Sequence, residues 1–397
     1  MINDRKFEDI KLEDRKFEDI KINIKSENSW AKSAEETRKK EFAMDGTSLK
    51  ITKNISKMKI VRIKDCISLD TWMEDNYVDS ALVFDSLNVI PTTHNSGAVF
   101  PQKIECCIPW LWAKCQGYTI RDQLMMGIRC LDLRLKLVRI GKDGSEQDNR
   151  YQIVHFFDST YTFMDIMKDV NEFLETNNGE TVFLMIKPEW NTRDKWNFSD
   201  LEDLWGKIKG FDRVLKTRDE HVSMSQLRFN QVRGKIVIMP DGHIYNTYNN
   251  NVDVLANVKV NQGRDIDVIH GVNVLYPNFL NRCENWNSQG VRHAKQRIED
   301  FLMLEKHRTS SVERRMNGDE SKLFPLVETN VVLFKGSIPP YVVAKCMHPY
   351  LKKECIQKEC FTDEGMCYVK RLGFVMLDFA NEGVVRNLLT NNLCKYY

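Results

Sequence analysis

The sequence predicts an α/β fold, a TIM-like (β/α) barrel of incomplete or distorted form, preceded by a charged N-terminal tail. Three observations predict it: continuous apolar runs at 181–186 (TVFLMI), 235–239 (KIVIM) and 374–377 (FVML), amphipathic helical stretches between runs, and ionisable residues where the runs end. Continuous apolar runs suit strands buried on both faces of a parallel sheet. Their alternation with helices argues for crossover connections. A barrel presents its working residues at the C-terminal ends of its strands.

Residues 1–56 are densely charged and poor in apolar side chains, and DRKFEDIK at 4–11 recurs letter for letter at 14–21. Such a segment buries too little surface to offset its ordering entropy, so a disordered or loosely helical tail is expected there. The character changes near Ile60, and 60–397 reads as one barrel domain. Residues 86–93 (SLNVIPTT) form the first compact apolar run and the first expected strand. Thr119 with Asp122 three residues on makes a capping box for a short helix that Gly127 ends. The next strand, 129–138 (RCLDLRLKLV), alternates apolar residues with Asp132, Arg134 and Lys136, so its polar face meets something wet. A strand at 151–157 follows, then a helix whose Phe163, Ile166, Met167, Val170 and Leu174 share one face.

Composition narrows the function. With 58 basic and 56 acidic side chains the net charge is +2, so no concentrated field invites nucleic acid. No run approaches the roughly 20 apolar residues that span a bilayer, and contact with lipid would be peripheral. The first residues lack the apolar core of a secretory signal, and the 11 cysteines, an odd number, fit reduced thiols in the cytoplasm. Cys346, Cys355, Cys360 and Cys367 match no paired zinc-ligand spacing. Cys106, Cys107 and Cys115 read as buried thiols.

Five ionisable residues stand at or near strand ends: His94, Arg134, His155, Lys187 and Asp378. Singly, a histidine beside a core strand is more often structural. Together, two histidines, two cations and a carboxylate suit phosphodiester cleavage, which needs a base, an acid and positive charge for the phosphorane.

The runs THNSG at 93–97, GIRCLDLR at 127–134, Val154 with His155, FLETNNGETVFLMIK at 173–187, RGKIVIM at 233–239 and GFVMLDFANE at 373–382 fall in the order of the phosphatidylinositol-specific phospholipase C X-domain family. The chain resembles its metal-independent branch of bacterial and trypanosomal glycosyl-inositol enzymes, over roughly 85–389. The resemblance implies His94 as general base, Asp378 orienting it, His155 as general acid and Arg134 as the phosphoryl-binding cation. Lys187, with Asn95 beside the base, would contact the head group. Asp132, two residues before Arg134 and so on the same strand face, would hold the arginine or form a structural ion pair.

The implied reaction releases diacylglycerol and inositol 1,2-cyclic phosphate. No metal or other cofactor is expected, because calcium-dependent relatives place an acidic ligand where Arg134 stands. The partners implied are an inositol phospholipid or glycosylated derivative and a membrane surface, for a cytoplasmic, peripherally bound protein. Three positions depart from the bacterial pattern. Asn95 replaces an aspartate, Phe156 replaces the glycine often found after the second histidine, and Asp241 stands near an inositol-binding arginine. The loop at 108–112 (IPWLW) offers Trp110 and Trp112 to the lipid boundary, or else as cover for the core. Two other functions compete: a catalytically inactive lipid-binding module, and a metal-dependent barrel enzyme acting on glycerophosphodiesters.

Overall fold

A computed structural model describes residues 67–77, 83, 87–99, 112–140, 148–189, 196–215, 227–240, 266–269, 272–275, 282–283, 290–309, 326–329, 339–352 and 372–393. The chain divides into two units, Met1–Lys59 and Ile60–Tyr397, and every described residue belongs to the second. The charged tail, Trp110, Asp241, Cys106, Cys107, Cys355, Cys360 and Cys367 lie outside the described residues.

In chain order the elements are α1 (Trp72–Asn76), β1 (Val89–Thr93), α2 (Ile120–Met125), β2 (Cys130–Ile140), β3 (Asp148–His155), β4 (Phe157–Thr162), α3 (Phe163–Thr176), β5 (Thr181–Pro188), α4 (Phe198–Lys209) and α5 (Phe229–Val232). There follow β6 (Lys235–Pro240), β7 (Ile266–Ile269), β8 (Val272–Leu275), β9 (Arg282–Cys283), α6 (Val291–Thr309), β10 (Leu326–Glu328), α7 (Pro340–Leu351), β11 (Gly373–Leu377) and α8 (Glu382–Leu393).

The five strands that carry the expected site residues or their neighbours lie together. Strands β6, β5, β2, β1 and β11 are adjacent and parallel. Val89–Thr93, Thr181–Pro188 and Gly373–Leu377 are buried throughout or nearly so, as apolar runs packed on both faces require. Helix α3 starts from a capping box between Thr162 and Asp165 and buries Phe163, Ile166, Met167, Val170, Phe173 and Leu174. Helix α2 has the expected box between Thr119 and Asp122. Gly127 follows at φ +99, where an added Cβ would stand 3.0 Å from a Val385 methyl. Only glycine joins that backbone to that packing.

One expectation is met in its coarse form and one needs correction. Among the described residues the sheet is mixed and open, as an incomplete or distorted barrel would be: it runs from β7 to β9, with β7 antiparallel to β8 at one edge. The strands toward the other edge, β10 and β9, are only three and two residues long and offer few ladder bonds with which to close. The single strand expected at 151–157 is two strands. Strand β3 returns antiparallel to β2, and β4 folds back on β3 through the single residue Phe156, with His155 paired to Phe157.

The densest polar structure in the core is an ion pair that the family-like motifs contain but that serves packing. Arg129 donates from Nε to Glu180 at 2.6 Å and from its terminal nitrogens to the carbonyls of Leu124, Ile128, Leu69 and Asp70. Glu180 accepts the backbone N–H groups of Met73 and Glu74. Both side chains are fully buried, and this network ties α1, the start of β2 and the start of β5 into one block.

Candidate active site

Strand register brings the first two site residues together. Thr93 is paired with Leu377, so the residues one step beyond, His94 and Asp378, emerge side by side at the ends of β1 and β11. His94 Nδ1 lies 2.8 Å from Asp378 Oδ1, and the His94 backbone N–H donates to the Leu377 carbonyl at 2.9 Å. A carboxylate can only accept here, so the ring proton sits on Nδ1 and the lone pair on Nε2 faces the cleft. That lone pair receives Asn95 Nδ2 at 2.9 Å and Arg134 Nη2 at 3.4 Å.

Strand β2 delivers Asp132 and Arg134 to the same place. Asp132 is fully buried; its Oδ2 accepts the backbone N–H of Asn95 at 3.0 Å and its Oδ1 meets Lys187 Nζ at 2.7 Å. The sequence suggested Arg134 as its partner. Arg134 instead extends Nη1 to within 3.9 Å of Glu189 Oε2, and its buried Nε has no hydrogen-bond partner among the described residues. Burial by itself would raise the Asp132 carboxyl, but Lys187 first, then His94 and Arg134, hold it below the usual carboxylate range. Lys187 is thus an ion-pair partner of Asp132 at the cleft wall, with its side chain 22% exposed.

The antiparallel return of β3 brings His155 opposite His94, the two rings 6.1 Å apart and inclined at 72°. His155 Nδ1 donates to the Ala113 carbonyl at 2.7 Å, which leaves Nε2 as its reactive nitrogen. Burial, helped by the positive charge of Arg134 and the neighbouring His94, pushes this imidazole down to about 3. At neutral pH the free protein therefore holds His155 uncharged.

Sequence reasoning passed over four residues that shape this centre. Gln116 donates from Nε2 to the carbonyls of His94 and Leu377 and accepts the Ala380 N–H, locking the two loops that carry the His94–Asp378 pair. Cys115 lies 3.5 Å from His155 Nδ1 and 3.6 Å from Asn95 Nδ2; burial, then the Asp378 charge, pushes its thiol well up, so it stays protonated. Ser96 accepts the Asp132 N–H. Glu189, buried just past β5, is Arg134's carboxylate neighbour. None carries a local signal, because each acts through contacts with chain far away. Trp112 is half-buried.

Backbone strain is concentrated at the same residues. Among the described residues three non-glycines have positive φ: Asn95 at 43°, Phe156 at 61° and Phe379 at 46°. They directly follow His94, His155 and Asp378. Such conformations persist only where surrounding structure imposes them, and they cluster at functional sites.

One group of metal-capable side chains occurs among the described residues, His94, Cys115 and Asp378, with ligand atoms within 4.8 Å. It suits a cation poorly. His94 and Asp378 are bonded to each other, and the Arg134 guanidinium stands at the remaining histidine nitrogen, where its charge repels a metal.

Residues 103–240 match the family model described as phosphatidylinositol-specific phospholipase C, X domain. The matched stretch contains Asp132, Arg134, His155 and Lys187, while His94 and Asp378 lie outside it. Among curated proteins, the chain is 25% identical over 185 residues to a 1-phosphatidylinositol phosphodiesterase of Listeria monocytogenes, covering 46% of this chain and 51% of that protein. It is 32% identical over 75 residues to the variant-surface-glycoprotein phospholipase C of Trypanosoma brucei brucei, 19% of each chain. The chain thus spans about half the length of the first relative and about a fifth of the second. Of solved structures, the Listeria monocytogenes phosphatidylinositol-specific phospholipase C is similar at TM-score 0.56 and 17% identity, covering 82% of this chain and 99% of that one. A Staphylococcus aureus enzyme of the same name is similar at 0.54 and 14%, covering 82% and 97%. The resemblance to the X-domain family is shown, and the fold is shared with the bacterial enzymes.

Proposed function

We propose that this chain, with its X-domain match, cleaves the phosphodiester of phosphatidylinositol or a glycosylated derivative by acid–base catalysis between His94 and His155. The observation that carries the reading is the geometry of His94, backed by Asp378 at Nδ1, presenting Nε2 beside Arg134 and across the cleft from His155.

In this reading His94 Nε2 takes the proton of the inositol 2-hydroxyl, and that oxygen bonds to phosphorus. The bond from phosphorus to the glycerol oxygen breaks, and His155 Nε2 gives that oxygen a proton. The products are inositol 1,2-cyclic phosphate and diacylglycerol. Asp378 stabilises the imidazolium that His94 becomes. Arg134, whose side chain is 23% exposed and whose Nη2 lies 3.4 Å from His94 Nε2, holds the phosphoryl oxygens as charge grows. His155 must first acquire a second proton, and the anionic phosphodiester beside it favours that imidazolium against the burial that opposes it.

Arg134 and Lys187 supply the positive charge that a metal would otherwise bring, so the reaction is proposed to need no cation cofactor. No helix among the described residues is long and apolar enough to cross a membrane, and the protein is proposed to act from the cytoplasmic side on the surface of its lipid.

The test is turnover of phosphatidylinositol vesicles in EDTA, followed by phosphorus NMR, with His94→Ala and His155→Ala alongside. Cyclic phosphate from the native chain and none from either variant is expected. Turnover that EDTA abolishes would replace this reading with the metal-dependent one. Vesicle binding without turnover, with calcium and with glycosylated substrate alike, would replace it with the inactive lipid-binding module.

A further inference from the structure

Phe156 is unfavourable where it stands on two counts. Its φ of 61° lies in the left-handed region that glycine adopts freely and an aromatic residue does not. Its side chain is also 63% exposed, the most of any large hydrophobic side chain among the described residues. The other two left-handed residues have visible compensation: Asn95 is buried and bonds to His94 and Asp132, and Phe379 packs edge-on against Tyr341. Phe156 has only the edge of the site, its ring 4.7 Å from that of His155.

The hairpin fixes where that ring must be. Phe156 is the single residue between His155 and Phe157, which pair across the turn. Phe157 is 46% exposed, and beyond it Asp158 meets Lys136 in an exposed ion pair. Two adjoining aromatic side chains thus stand in water at the tip of a rigid turn, bounded by charge, directly after the residue that meets the leaving group.

We propose that Phe156 is the apolar contact by which the site engages the hydrocarbon boundary of its lipid, on the side through which the diacylglycerol leaves. This rests on the reading of the site as a lipid phosphodiesterase. That group carries the acyl chains, its oxygen is the one His155 protonates, and the side chain adjoining His155 is the apolar surface it meets first. Phe156 acts mainly through binding at an interface.

The test uses the full chain with Phe156→Gly and Phe156→Trp. The glycine variant removes the ring at a position glycine adopts freely, so its thermal midpoint stays within about 3 °C of the native one. Its partition onto phosphatidylcholine vesicles containing phosphatidylinositol falls about tenfold, as loss of one buried aromatic side chain requires. Its turnover of a short-chain inositol phosphodiester kept below aggregation falls less than its turnover of vesicles. The tryptophan variant keeps native partition, and its emission moves to the blue on vesicle addition. Native partition by the glycine variant, equal loss of soluble turnover, or no blue shift overturns the proposal. An inactive native chain would overturn the reaction instead, and partition would still decide the role of Phe156.

Discussion

The Asp132 carboxylate is held 2.7 Å from the ammonium of Lys187 on the neighbouring strand, while its other oxygen accepts the backbone N–H of Asn95. One buried anion therefore joins the cleft wall to the turn that carries His94. Its protonation or removal releases both.

Asp132→Asn keeps the size of the side chain and leaves Lys187 without its charge partner. The substitution is expected to destabilise the fold by about 3 kcal/mol, in the range for breaking a buried pair. Adding Lys187→Met should recover part of that loss, and the non-additivity in a denaturant double-mutant cycle measures the coupling. Additive losses would show that the pair is not coupled.

Asp378→Asn removes the charge behind His94 and lets the amide donate to Nδ1, which turns the imidazole to the wrong tautomer. Turnover should fall by about 10²–10⁴-fold with vesicle partition unchanged. A loss confined to partition would contradict the assignment of Asp378 to the base.

Stability should decline on the acid side because of His155. Its folded value, about 3, lies below the unfolded value of about 6.5, so the unfolded chain binds the proton first. The contribution is complete above pH 6.5 and is lost as the pH falls toward 3. Asp132, also depressed, adds a further loss below the ordinary carboxylate range. Thermal midpoints taken from pH 7 to 4 should fall steadily in the native chain and more shallowly in His155→Asn.

Glu180→Gln tests the block beneath the site. Arg129 would keep its carbonyl acceptors but lose its only carboxylate among the described contacts, at a cost of about 3–5 kcal/mol. Turnover per folded molecule should be unchanged, since this pair touches none of the five site residues. A loss of turnover at full folding would mean that the pair acts on the cleft.

Much of the candidate site was legible because residues able to do acid–base work stand at or just past the ends of several strands. The apolar runs gave β1, β2, β5, β6 and β11; the polar residue at or just past the end of β1, β5 and β11 marked His94, Lys187 and Asp378, while Arg134 lies within β2. The two-residue spacing of Asp132 and Arg134 correctly set them on one face. The capping boxes of α2 and α3 were legible too, because both partners lie within four residues of each other.

What the sequence by itself determined is therefore what local spacing encodes: helix starts, strand faces, and an inventory of two histidines, two cations and a carboxylate. Only tertiary structure decided their pairing. Register between β2 and β5, which sets Arg134 opposite Lys187, turned Asp132 to the lysine. The antiparallel return of β3 carried His155 to His94, and Gln116 reached the Leu377 carbonyl 261 residues away. These outcomes depend on hydrogen-bond register and chain reversal between segments remote in sequence, and no periodicity within one segment contains them.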